Sequence, residues 1–241
     1  MNFKDCIDSY PFILMEGALG ERLKREFDLD ISGTVAMADL IYQQKGRMAL
    51  KTLWNEYMDI AHRYQLPFLA TTPTRRANKE RVYMAGYNES IITDNVDFLR
   101  TIKETANVNM YIGGLMGCKG DAYTSERALN QEEAIAFHSW QASLFKSVGV
   151  DFLYAGIMPV LSEAIGMAVA MSDTDIPYII SFTIQRNGKL IDGHTINDAI
   201  YYIDNHVSNK PVCYMTNCVH PDIVYEALSH KFNQTQMVKN R

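Results

Sequence analysis

Residues 177–221 read PYIISFTIQRNGKLIDGHTINDAIYYIDNHVSNKPVCYMTNCVHP. Two apolar runs of strand length, PYIISF at 177–182 and PVCYM at 211–215, flank a segment in which Ile196, Ala199, Ile200 and Ile203 recur at helical spacing. Thr195 with Asp198 supplies a capping-box start for that helix. A helix between two strands carries the chain back so that the second strand runs parallel to the first. The stretch predicts an α/β protein built on a parallel sheet.

The same alternation extends towards the N-terminus, with further strands expected near 11–15 (PFILM), 67–71 (PFLAT), 109–113 (NMYIG) and 151–155 (DFLYA), six in all. Leu50, Leu53, Trp54, Tyr57, Ala61 and Tyr64 share one face of a helix expected over 44–64, which suits packing on a sheet. Asn130 with Glu133 starts a helix running to about 147, and Pro221 opens the last one. With no Pro-, Gly- or Ser-rich linker, residues 1–241 read as a single domain. Six strands suffice for an open doubly wound sheet, whereas a closed (β/α)₈ barrel needs eight. No G-x-G-x-x-G follows any strand, which weakens the dinucleotide-binding form of the open sheet.

A formal net charge of -5 argues against a general nucleic-acid binder. The densest basic stretch, Arg75, Arg76, Lys79 and Arg81, reads as a solvated loop and helix start. There is no signal-peptide pattern and no segment long enough to span a membrane, so a cytoplasmic protein is expected. The four cysteines, Cys6, Cys118, Cys213 and Cys218, have no framework spacing and are expected to stay reduced.

Parallel α/β folds gather chemistry at the carboxyl ends of their strands, where the loops converge. In this sequence those ends carry Glu16-Gly17, Thr71 to Thr74, Gly113-Gly114, Ala155-Gly156, Ser181-Phe182-Thr183 and Asn217-Cys218. Glu16 stands out, because a carboxylate directly after an apolar strand would point into a barrel mouth, although the pattern alone fits surface exposure equally well. The glycines also fit close packing, the threonines turn satisfaction, and Cys218 an inert thiol. His62 and His138 fall in helices and read as surface or packing residues.

Taken in order, the strand ends resemble the homocysteine S-methyltransferase family. MEGALGERLKR is similar to its D-G-G-x-x-T-E-L opening, TPTRRAN to its T-N-T-x-x-A segment and GGLMGCKGDAY to its G-S-x-G-P loop. FHSWQASLFKSVGVDFLYAGIMPVLSEA resembles its fourth unit, ISFTIQRNGKLIDG its fifth strand and TNCVHP its N-C-x-x-P segment. The resemblance implies a TIM-type (β/α)₈ barrel, of which this chain holds about six strand-helix units. It implies an enzyme that transfers a methyl group to the zinc-bound thiol of homocysteine, or a related thiol, giving methionine. The donor would be a methyl-sulfonium, a betaine-type ammonium or a methylated carrier. Glu16, Gly17, Thr72, Thr74 and Asn217 would then be substrate-binding, and Cys218 a zinc ligand.

Three departures modify that expectation. The G-G-C-C segment carrying the family's other two zinc cysteines does not occur in these residues, leaving the expected zinc site incomplete. Gly156 stands where the family's E-T-x-P motif has its glutamate, and Glu16 and Pro73 replace the Asp of D-G-G and the Asn of T-N-T. A non-catalytic barrel relative that binds a ligand or partner is therefore the competing expectation. A six-unit barrel would also expose two sheet edges, so self-association through them is expected.

Overall fold

The computed structural model describes residues 1–241 and falls into two compact units, Met1–Leu115 with Leu144–Phe152, and Met116–Ser143 with Leu153–Arg241. All six expected strands form.

The first unit opens with a helix absent from the sequence reading, α1 (Phe3–Ser9), capped by the Asn2 side chain on the Asp5 amide. Its seven residues are too few to show a period. Phe3 stacks on Phe152 with ring centroids 4.5 Å apart, and Cys6 is fully buried. Strand β1 is only Leu14–Met15, shorter than expected, because Phe12 of the apolar run faces solvent. Helix α2 (Leu19–Phe27) follows, then α3 (Gln44–Tyr64), which matches its predicted bounds. Leu50, Leu53, Trp54 and Ala61 of the predicted stripe are buried, but Tyr64, in the last turn, is 65% exposed.

Strand β2 (Phe68–Thr71) is buried throughout and is followed by α4 (Lys79–Met84), capped by Asn78, and α5 (Ser90–Lys103). Strand β3 (Met110–Met116) runs beyond its predicted end, so Gly113 and Gly114 lie inside it rather than after it. A Cβ on Gly113 would meet the Phe152 ring at 2.4 Å, and one on Gly114 the Phe145 ring at 2.6 Å. These glycines serve aromatic packing. β1 pairs in parallel with β2, and β2 with β3.

Helix α6 (Gln131–Val148) leads to β4 (Phe152–Met158) and α7 (Leu161–Ser172). The second unit continues through β5 (Tyr178–Phe182), α8 (Ile196–His206), β6 (Cys213–Thr216), α9 (Pro221–Ser229) and α10 (Gln236–Asn240). The capping box read from Thr195 and Asp198 forms, and Pro221 occupies the first turn of α9. β4 pairs in parallel with β5, and β5 with β6. Between Ala155 and Met158 β4 advances three positions while β5 advances two, from Ile180 to Phe182, so β4 carries a one-residue bulge.

The fold is thus α/β with six strand-helix units, the strands parallel within β1–β3 and within β4–β6, two units fewer than a closed eight-stranded barrel. No helix is long and apolar enough to cross a membrane.

Candidate functional site

Two groups of predicted residues lie at the carboxyl ends of strands, one in each unit.

In the first unit, Glu16 directly follows β1. Its Oε1 accepts hydrogen bonds from the Thr71 amide at 2.7 Å and the Thr71 hydroxyl at 2.6 Å. The residue as a whole is half-buried, but Oε2 is shielded from solvent and has no hydrogen-bond partner. Desolvation of the carboxylate outweighs the Thr71 bonds and raises its pKa from 4.5 to about 7. Gly17 beside it is exposed, a Cβ there would touch nothing within 4 Å, and Tyr57 donates to its carbonyl. Ala18 then enters α2 with a left-handed φ of 52°.

Thr72 and Thr74 have no exposed surface. Their hydroxyls lie 2.7 Å apart; Thr74 Oγ1 donates to the Leu115 carbonyl at 2.8 Å, and the Leu115 amide donates to Thr72 Oγ1 at 3.1 Å. Both threonines thereby tie the loop after β2 to β3. In the nearby basic stretch, Arg81 is bonded to the Thr34 carbonyl and Lys79 is exposed.

In the second unit, Asn217 follows β6. Its Oδ1 accepts from the Ser181 hydroxyl at 2.5 Å and the Tyr154 hydroxyl at 3.1 Å. With the oxygen held twice, Nδ2 turns to Cys218 Sγ at 3.4 Å. Cys218 is exposed and adopts a left-handed φ of 55°, a conformation that non-glycine residues hold only where surrounding structure enforces it. His220 is the N-cap of α9, its Nδ1 accepting from the Asp222 amide. Burial pushes the Cys213 thiol up to about 11, which disfavours thiolate chemistry there.

A catalytic zinc needs about three protein ligands. Within residues 1–241 no three His, Cys, Asp or Glu side chains come together as a metal-holding group. The side chains present therefore do not fit a resident zinc, and Cys218 stands as a single thiol.

Two features escaped the sequence reading. Ile157, at the β4 bulge, has φ 61°, an outlier for a β-branched residue, and Gly156 lies in the same bulge. Glu163 in α7 is fully buried and paired with His138 Nε2 at 3.1 Å. No local signal marks either, since a bulge is defined by the partner strand and a buried carboxylate by distant donors. His138 is a buried, paired residue; His62 is on the surface.

Among solved structures, the chain is similar to the homocysteine methyltransferase MmuM from Escherichia coli. For the metallated form the TM-score is 0.75 at 19% identity, over 92% of this chain and 80% of that one. The oxidized form gives 0.76 at 19% identity, over 92% and 78%. At this identity the likeness establishes the fold. Among characterised sequences, homocysteine S-methyltransferase YbgG from Bacillus subtilis (strain 168) is 21% identical over 217 residues, 83% of this chain and 67% of that protein. The sequence model of homocysteine S-methyltransferases matches residues 13–239, from just before β1 into the last helix. A match across both units and all six strands, agreeing with the likeness in fold, means that the chain belongs to the homocysteine S-methyltransferase family.

Proposed function

We propose that the chain serves methyl transfer to the sulfur of a thiol amino acid, homocysteine or a close relative, giving methionine or the matching thioether, and that Glu16 receives the ammonium group of that substrate. The observation that carries this reading is the shielded, unpartnered Oε2 of Glu16. An unpaired buried carboxylate oxygen is unfavourable by itself, and a bound ammonium supplies the missing donor and counter-charge. Such a charge-assisted bond contributes about 1.5–3 kcal/mol. Its partner Oε1 is already fixed by Thr71, so the carboxylate is oriented before the ligand arrives.

Gly17 leaves the approach open because it has no side chain, and Thr72 and Thr74 hold the adjoining loop in place. Asn217, locked by Ser181 and Tyr154, directs its amide at Cys218, the residue the family resemblance assigns to zinc. The family's zinc would supply thiolate formation, for which Cys218 alone is one ligand of about three needed. The methyl donor belongs to the class of methyl-sulfonium, betaine-type ammonium or methylated carrier. The substrates are small molecules, and the family resemblance favours a cytoplasmic setting.

Calorimetric titration with homocysteine tests the reading. Affinity is expected to rise with pH through about 7 as Glu16 ionises, and Glu16→Gln is expected to weaken binding about tenfold or more. Formation of methionine from homocysteine and a methyl-sulfonium donor is the catalytic readout. Equal binding by wild type and Glu16→Gln would sink the assignment. Gly156, standing where the family's E-T-x-P motif has its glutamate, favours a second reading, a ligand-binding relative without turnover. Binding of homocysteine with no methionine formed would select it.

A further inference from the structure

The loop of residues 117–130, between β3 and α6, folds back on itself. A Cβ on Gly120 would lie 2.0 Å from the Glu126 carbonyl oxygen, and the Tyr123 and Glu126 amides bond to Asp121 Oδ1 and Thr124 Oγ1. One side chain holds both ends of this loop. Glu163 Oε1 accepts from the Lys119 amide at 2.7 Å and from His138 Nε2 at 3.1 Å, while Oε2 accepts from the Leu129 amide at 3.3 Å. A carboxylate with no exposed surface persists only where such donors replace water.

The middle of the loop is fixed separately. Thr183, immediately after β5, donates from Oγ1 to the Ala122 carbonyl at 2.6 Å. Two residues earlier, Ser181 holds Asn217. The loop therefore lies against the carboxyl end of β5, in the same unit as Asn217.

We propose that Glu163 is a positioning residue that latches the 117–130 loop at both ends, so that the loop forms one fixed wall at the carboxyl end of β5, in the unit that holds Asn217 and Cys218. Glu163 itself touches no substrate. The identity of that substrate rests on the thiol methyl-transfer reading above, whereas the latch does not.

Trypsin reports the latch directly, because Arg127 is exposed in this loop. Glu163→Gln turns one acceptor into a donor facing an N–H, and Thr183→Val removes the hydroxyl at nearly constant shape. On the whole chain, each is expected to accelerate cleavage after Arg127 by about tenfold while near-UV circular dichroism is unchanged. Each is also expected to raise KM for homocysteine with kcat within about twofold, the signature of lost positioning. If Glu163→Gln does not fold, Thr183→Val carries the same test. Unchanged cleavage after Arg127 in a folded variant, or a fall in kcat at constant KM, would overturn the proposal. Cleavage is read without substrate, so faster cleavage in both variants supports the latch even if no thiol is methylated; that result would refute only the thiol reading.

Discussion

Replacing Glu16 by Gln should change how stability depends on pH. The Glu16 pKa is raised in the folded protein, from 4.5 to about 7. Between those values the folded state binds more protons than the unfolded state, so stability falls as pH rises. The favourable contribution of the neutral carboxyl is complete below about 4.5 and is lost as pH passes through about 7. At about 1.4 kcal/mol per pH unit the full shift corresponds to about 3 kcal/mol, which screening at a half-buried residue reduces to about 2. Glu16→Gln keeps the shape and removes the titration. Urea unfolding of both proteins at intervals from pH 4.5 to 8, followed by tryptophan fluorescence, yields the difference curve, in which contributions of all other groups cancel. The variant should gain about 2 kcal/mol on wild type across that range. A difference curve flat within about 0.5 kcal/mol would refute the argument that this carboxyl is desolvated in the folded protein.

Gly166→Ala, in α7, would bring a Cβ to 2.4 Å from the Ala134 Cβ and 2.6 Å from the Gln131 carbonyl. Overpacking of about 1–3 kcal/mol should outweigh the better helix propensity of alanine, which thermal melts will show as a lower Tm. Ala18→Gly relieves a left-handed φ at an exposed position and should stabilise by up to about 1 kcal/mol in urea titrations. Gly17→Ala meets nothing within 4 Å, so its Tm should stay within about 1 °C of wild type, while the proposed ammonium site at Glu16 predicts that homocysteine affinity falls as the added methyl crowds its approach. Unchanged affinity there would separate Gly17 from the site.

The parts of the fold legible in the sequence are those governed by local chemistry. The α3 bounds follow from helical spacing, and the α8 start from the Thr195–Asp198 box. Errors arise where burial is decided by distant residues. Phe12 looks like strand core but has nothing to cover it, which shortens β1. Gly113 and Gly114 look like a loop, and only Phe152 and Phe145, more than 30 residues away, reveal that a strand needs the missing side chains. The position of Glu16 after an apolar run was legible, whereas the shielding of its Oε2 and its bonds to Thr71 were not, since they depend on the neighbouring strand. Nor was Glu163, since its donors come from residues 119, 129 and 138.

The bulge in β4 gives backbone length a role usually credited to side chains. The extra residue between Ala155 and Met158 offsets everything downstream by one position relative to β5. Helix α7 begins three residues after Met158, so its rotational phase is inherited from that offset. Deleting one residue at 156 or 157 would straighten the strand and turn the helix by about 100° about its own axis. Glu163 would then swing away from the Lys119 and Leu129 amides with no change in its chemical identity. In this fold a strained Ile157 works as a spacer, and insertions or deletions at that point act as rotations of the helix rather than as edits of a loop.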